Sequence, residues 1–581
     1  WGGMVSIFNS KIVDHVDFYP GGFDVRGGQS LSGILDVSTK DGNWNTAYKE
    51  LDISLTELNY YMTAPVKEET STYMLSYRRT YYDLFAPLFI SSDDGPVHLP
   101  YLQSFQTKYS HKLSAKHLIK TGAYYFNDGA DLPLNTLSEE EIEGYIKYNS
   151  DKYIGSIQLE SRLNKRLFNQ AVLSYYKTGG YYQQTDDYNI DANWSENSFI
   201  LRDDLIWEAT PSHQIELGLI AFNLKLSNDA SWVQPPNPYE AGSVTVNVSS
   251  ELSFPIQNIG IYLQDRYQWT EKTTLIYGLR ADCVKVSSYV WDMALQPRVS
   301  LRYNMTPSTT VKMYMGQYAQ FPFDINETLI EDQLETSPAD LNTELADHIG
   351  IGFEHYINDT NMLKVEGFYK DYNQLSINMA DYPEQRYENK GDGEASGVEF
   401  LLQRLKGDRY EGWLTYTYSH TRRRDAEGWY TPSYDITHML NMYVDTKLSQ
   451  GKVLTTTFKY STGTPYTPIE GVYQDADTGE DVYIEGDRLS KRLADYVKVD
   501  VWLTWPDVKT IVPIPFIPYV SKTKKWGIFR EFKYKGSTRM GLFNVLNSKN
   551  QVGYYWNDTD DEEAFLQDFP FMFIFGRTLL F

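Results

Sequence analysis

The chain has 581 residues, 53 basic against 77 acidic for a net charge of −24, and a single cysteine, Cys283. The acidic balance excludes a nucleic-acid binder, which needs a basic surface, and one cysteine excludes an internal disulfide or a thiolate metal cluster. Aromatics make up 15% of residues, with 48 Tyr, yet mean hydropathy is −0.47. No apolar stretch reaches the roughly 18 residues that a spanning helix needs, so membrane helices are excluded; lipid-facing strands are not.

Taken in order, the first stretch runs from Val16 to Gly42. It reads as a strand, a glycine-dense turn with Gly21, Gly22, Gly27 and Gly28, and an alternating strand from Gly33 to Thr39. Glycines this close together permit positive φ and tight backbone approach, which suits a small domain folded against a larger body. Read alone, it is an ordinary hairpin. No signal peptide is visible at Trp1, and the chain is expected to lack its natural beginning.

From Asn43 onward, segment after segment alternates polar and apolar residues. Ile157, Leu159 and Leu163 oppose Gln158, Glu160 and Arg162; Leu363, Val365 and Tyr369 oppose Lys364, Glu366 and Lys370. Charges at every second position are out of place inside a soluble sandwich and natural in a barrel with a wet interior. Short polar turns fall at Lys67–Thr70, Lys112–Ala115, Asn164–Arg166, Pro211–His213, Thr270–Lys272, Thr306–Ser308, Asn358–Asn361, Lys406–Arg409 and Ser449–Gly451. Between them lie long irregular stretches at Ser91–Pro100, Asp128–Asn149, Ser227–Ser250, Pro322–Asp347 and Gly463–Lys491. Short turns on one rim and long loops on the other is the outer-membrane barrel pattern. With Pro506–Gly536 as one more inner connection, and a tight first outer loop near Thr56–Leu58, the count is about 22 strands, the size of a plugged transporter.

Pro506–Gly536 departs from the scheme. Its prolines (Pro506, Pro513, Pro515, Pro518) forbid a central strand or helix. It reads either as an elaboration packed on the barrel rim or as an apolar docking segment for another protein. The chain closes on Phe569-Pro-Phe-Met-Phe-Ile-Phe-Gly-Arg-Thr-Leu-Leu-Phe581. Arg577 shares the parity of Phe575 and Leu579 and is expected near the inner rim, where a charge facing lipid costs little.

Together these motifs resemble a TonB-dependent outer-membrane receptor of the type common in Bacteroidetes. Tyr19-Pro-Gly-Gly-Phe23, Gly28, Leu31-Ser-Gly33 and Thr39-Lys-Asp-Gly42 match the end of the family's plug domain. Gly278-Leu-Arg280, Pro297-Arg-Val-Ser300, Glu344-Leu-Ala-Asp-His348, Gly367-Phe-Tyr-Lys-Asp371, Ala395-Ser-Gly-Val-Glu399 and Phe543-Asn-Val-Leu-Asn547 match its barrel in family order. The resemblance implies an all-β fold: a transmembrane antiparallel barrel over residues 43–581, with residues 1–42 the C-terminal part of a plug. It also implies a bacterial outer-membrane location, an earlier plug portion and TonB-binding segment before Trp1, and uptake of an external ligand energised through TonB. A surface lipoprotein or other outer-membrane subunits, engaged through Pro506–Gly536, are the further partners it suggests, beside the lipids. The alternative is a non-transporting barrel serving as a structural subunit of a larger assembly.

For sites, the plug turn is expected at Gly21, Gly22, Gly27, Gly28 and Gly33. Family members hold the plug by charged contacts to inward barrel carboxylates, so Arg26 and Glu399 read either as a latch between plug and barrel or as two solvated lumen charges. Aromatic clusters at Tyr175–Tyr182 with Trp194, Trp232 and Tyr239, and at Trp429 and Tyr430, read as ligand-stacking or as boundary girdle and loop packing. Asp475, Asp477, Glu480 and Asp481, and Asp558–Glu563, fit no EF-hand spacing and read as solvated charge. No histidine pair has zinc spacing, and no catalytic triad, phosphate loop or cofactor motif occurs. Iron chelate, cobalamin, oligosaccharide and peptide all remain open as substrate.

Overall fold

A computed structural model of the chain describes residues 8–81, 98–133, 144–185, 189–234, 246–286, 291–322, 341–378, 387–474, 481–508, 519–520, 526–527, 535–557 and 562–580. A hairpin of β1 (Val13–Tyr19) and β2 (Ile34–Thr39) precedes a closed barrel of 22 antiparallel staves. Closure pairs every stave with two neighbours, so no edge exposes unpaired backbone groups, the condition for crossing a bilayer with strands. The first stave, Tyr48–Ser54, pairs directly with the last, Met572–Leu580, through Glu50–Leu580 to Ser54–Gly576.

Alternation decides which way each side chain points. Ile157, Leu201, Leu217, Ile261, Leu279, Met315 and Ile349 are exposed on the outer surface, while the lumen face carries charge, including Arg280, Asp282, Arg298, His348 and Lys370, all buried. Exposed Trp207, Trp269, Tyr303, Tyr356, Tyr410 and Trp413 sit beside the short turns. That is an aromatic girdle at one boundary, where an apolar ring with a polar tip fits.

Every expected short turn joins two staves. The tight first outer connection is also present. Ser54 and Glu57 are separated only by Leu55 and Thr56, and the Ser54 hydroxyl accepts hydrogen bonds from the Thr56 and Glu57 amides. The segment after Val508 leaves and returns at the short-turn rim, since Val508 pairs with Lys535. Apart from 519–520, 526–527 and its two ends, Pro506–Gly536 lies outside the described residues, Pro513, Pro515 and Pro518 included.

Several expectations need correction. Pro506 lies within the stave Tyr496–Val508, paired with Ser537. It is tolerated because the pairing with the preceding stave has already ended at Val453–Thr504, so its missing N–H removes no bond there. The stretches Ser91–Pro100, Asp128–Asn149, Ser227–Ser250 and Pro322–Asp347 are shorter as loops than expected, with His98–Pro100 and Glu344–Asp347 already part of staves. The flanks of the second and third continue the ladder, from Asp128–Ser150 to Pro133–Tyr145 and from Ser227–Ser253 to Gln234–Val246. Strands that rise beyond the membrane meet water on both faces and lose their alternation while keeping their hydrogen bonds.

The wall is therefore uneven. The stave Val246–Thr270 has 25 residues and Val453–Ser461 has 9. The low side carries separate hairpins instead, Ile469–Gln474 with Asp481–Glu485 and Gln551–Asn557 with Glu562–Gln567.

Candidate functional site

The loop of residues 20–33 between β1 and β2 reaches across the lumen to the wall. Its turn is built locally: the Asp24 carboxylate accepts from the Arg26 amide at 3.0 Å, and the Asp24 carbonyl accepts from the Gly27 amide at 3.3 Å. Gly22 has φ +63, and a Cβ there would lie 2.5 Å from the Tyr314 ring. At Gly28 a Cβ would collide with the Arg280 guanidinium. Side chains are excluded at both places.

Four wall side chains on separate staves, the cations Arg280, Arg298 and Lys370 and the imidazole of His348, grip this loop by its backbone. Arg298 Nη1 donates to the carbonyls of Asp24 (2.6 Å) and Gly27 (2.7 Å). Lys370 Nζ donates to the carbonyls of Pro20 (2.5 Å) and Ser32 (3.1 Å) and to the Ser32 hydroxyl (3.2 Å). His348 Nε2 lies 2.8 Å from the Leu31 carbonyl, and Arg280 Nη1 lies 3.3 Å from that of Val25. Because the carbonyl is an acceptor, Nε2 carries the proton.

A second set of contacts fixes the cations from behind. Arg280 forks onto Asp282 (2.6 and 2.7 Å), Gln296 donates to the same carboxylate at 2.7 Å, and Arg298 Nη2 donates to Gln296 Oε1 at 2.6 Å. Tyr318 stacks on His348 with centroids 4.1 Å apart and lies 4.2 Å from the Arg298 guanidinium; Phe23, packed 4.4 Å from the Tyr318 ring, lies 4.8 Å from the same guanidinium. Phe23, Tyr318, Ala346, Tyr372 and Leu375 form one buried cluster, against which Leu31 and Ile34 pack. Low water access strengthens these charge-assisted bonds.

Two ionic straps hold the base of the hairpin nearer the short-turn rim. Lys11 pairs with Glu50 and lies 3.3 Å from Asp52, whose carboxylate also takes the Arg539 fork (3.1 and 3.0 Å) and the Thr578 hydroxyl (3.2 Å). Asp41 pairs with Lys108 at 2.7 Å and Lys120 at 3.0 Å, and Lys120 continues to Glu160 at 2.9 Å. Burial alone would raise the Asp41 carboxyl, but the two lysines outweigh it and hold it below its ordinary value.

The expected turn glycines all lie in this loop: Gly21 near Tyr314 and Lys370, Gly27 against Ile34 and Phe23, and Gly33 against the Tyr19 carbonyl. Arg26 and Glu399 are not brought together. Arg26 lies toward Glu216 and Tyr262, whereas Glu399 stands opposite Glu366, near Lys364 and Lys370. Arg280, Arg298, His348 and Lys370 have no assigned role in the sequence reading, although each lies in a quoted barrel motif. Their lumen parity beside outward Leu279, Val299, Ile349 and Tyr369 was the available signal.

At the outer mouth, Trp429 and Tyr430 pair with the end of Tyr410–Arg424. Arg488 stacks over Tyr430 at 3.9 Å and bonds Asp425 at 2.5 Å, tying the loop to the next one. Tyr466 packs at a tilt against Tyr554, centroids 4.4 Å apart, and donates to Glu563 at 3.2 Å. Tyr175–Tyr182, Trp194 and Trp232 lie in tall staves. Tyr239, Asp475, Asp477, Glu480 and Asp558–Asp561 lie outside the described residues. Among the described residues no cluster of three or more His, Cys, Asp or Glu is placed to hold a metal ion.

The family described as "TonB dependent receptor-like, beta-barrel" matches residues 17–545. No curated protein matches the chain. Among solved structures, the outer membrane transporter YddB from Escherichia coli is 11% identical, with TM-score 0.68, over 99% of this chain and 85% of its own. The FrpB iron transporter from Neisseria meningitidis is 12% identical over 98% and 88%, with TM-score 0.70. The siderophore receptor PiuA from Acinetobacter baumannii is 11% identical over 98% and 86%, with TM-score 0.68. Identities this low carry the fold alone.

Proposed function

This chain belongs to the TonB-dependent receptor family, as a β-barrel of the outer membrane, and from that premise we propose that it is an active importer. An external ligand binds at the outer mouth, TonB pulls on the plug, and the loop of residues 20–33 leaves the wall to open a path. One observation carries the reading. The loop is held by hydrogen bonds from Arg298, His348 and Lys370 of the wall to its own carbonyls, contacts that can break and reform without unfolding the barrel. A fixed structural wall would gain more from an apolar seal, because burying cations on neutral oxygens is costly.

The test is ligand uptake in cells with and without this chain, and with and without TonB. Loss of growth on one scarce nutrient in both single deletions supports import. Growth unimpaired on every scarce nutrient, together with a stoichiometric complex surviving detergent extraction, would instead favour a structural subunit.

A further inference from the structure

We propose that the lumen wall behind residues 20–33 is a binding site for an anionic ligand, one bearing carboxylate, phosphate or sulfonate oxygens. The inference rests on the import reading, in which that loop withdraws. Arg298 and Lys370 make no ion pair among the described residues. The acceptors of Arg298 are the carbonyls of Asp24, Gly27 and Gln317 and the Gln296 amide oxygen; those of Lys370 are the Pro20 carbonyl and two Ser32 oxygens. All are neutral. The loop thus presents oxygens where a pair of buried charges calls for an anion.

The wall keeps its shape when the loop leaves. Arg298 Nε donates to the Gln317 carbonyl at 3.2 Å, Nη2 is held by Gln296, and Tyr318 supports the guanidinium plane. None of these belongs to the loop. Only Nη1 loses its partners, and it is left aimed into the lumen. A planar guanidinium fixed from behind is pre-organised for an oxyanion, and the Lys370 ammonium, three staves along the same row of the wall beyond Gly316 and His348, supplies a second point charge. Charges that oppose this are accounted for. Asp282 is committed to the Arg280 fork, and Asp24 departs with the loop. Glu366 and Glu399 face each other nearer the short-turn rim, with Lys364 2.9 Å from Glu366. That carboxylate pair forms the inner boundary of the site, so an anion is stopped at Arg298 and Lys370.

The loop and an anion would compete for the same N–H groups, which gives a test on the full chain in detergent. Backbone hydrogen exchange of residues 20–33 is measured with citrate as probe against sodium chloride of equal ionic strength. Citrate is expected to speed exchange by about tenfold at ten times its dissociation constant. Arg298→Gln combined with Lys370→Gln should raise the basal exchange and abolish the citrate response. Equal acceleration by chloride would mean simple screening and would overturn the proposal, as would a loop in the unsubstituted protein that ignores citrate. Either failure leaves the uptake result standing, and a failed uptake experiment leaves the citrate response intact.

Discussion

The guanidinium of Arg280 lies against Gly28 with no room for a methyl group between them, and the same guanidinium is held by both oxygens of Asp282. Arg280 therefore cannot yield cheaply. Gly28→Ala is expected to loosen the loop by about 1–3 kcal/mol through overpacking, read as faster hydrogen exchange across residues 20–33. Gly155→Ala, with open space around its Cβ, should leave that exchange unchanged.

The Asp41 strap has a defined pH window. Its carboxyl is held below the ordinary value by Lys108 and Lys120 against the opposing effect of burial. A depressed carboxylate stabilises the folded state above its unfolded value and loses that contribution as pH falls through the folded one. The strap should hold at neutral pH and fail only below about pH 4. In Asp41→Asn the exchange of β2 should be faster at pH 7, and its additional rise in acid should be smaller than in the unsubstituted chain.

At the mouth, Arg488 joins two loops through Tyr430 and Asp425. Arg488→Ala should cost the loops about 0.5–1 kcal/mol of cation–π contact in an exposed setting. Limited proteolysis should then cut near residues 425–435 and 486–490 more quickly, while the thermal unfolding of the barrel stays where it was.

Asp52 is 1% exposed and receives Arg539, Thr578 and Lys11. Asp52→Asn removes the charge that two partly exposed cations share, and losing charge-assisted hydrogen bonds at a buried carboxylate costs about 1–3 kcal/mol. Thermal unfolding of the barrel in detergent should fall by several degrees. Asp36→Asn, at an exposed position on β2, should leave it unmoved.

The barrel was legible because period-2 alternation and polar turns repeat for most of the chain, and the short turns fell where staves meet. Tall staves were underestimated because Asp, Asn and Gly outside the membrane imitate loop composition. The clamp was not legible for a different reason. Lys370 and Pro20 are 350 residues apart, and Arg280 and Val25 are 255 apart. Parity places each cation in the lumen but cannot say which backbone crosses in front of it. Arg26 lies in a turn, where no period fixes a direction; it settled toward Glu216 and not Glu399.

The seam between first and last staves has a consequence for assembly. Tyr48–Ser54 has no partner on one side until Met572–Leu580 has been synthesised, so the ring is the last contact the chain can make. Long loop closure of this kind is slow. Asp52 sits in that join and reaches Arg539 and Thr578 on one side and Lys11 on the other. Closing the ring and seating the hairpin are therefore coupled: a chain that cannot complete the seam also lacks the full anchorage for Lys11, and a misplaced hairpin weakens the join.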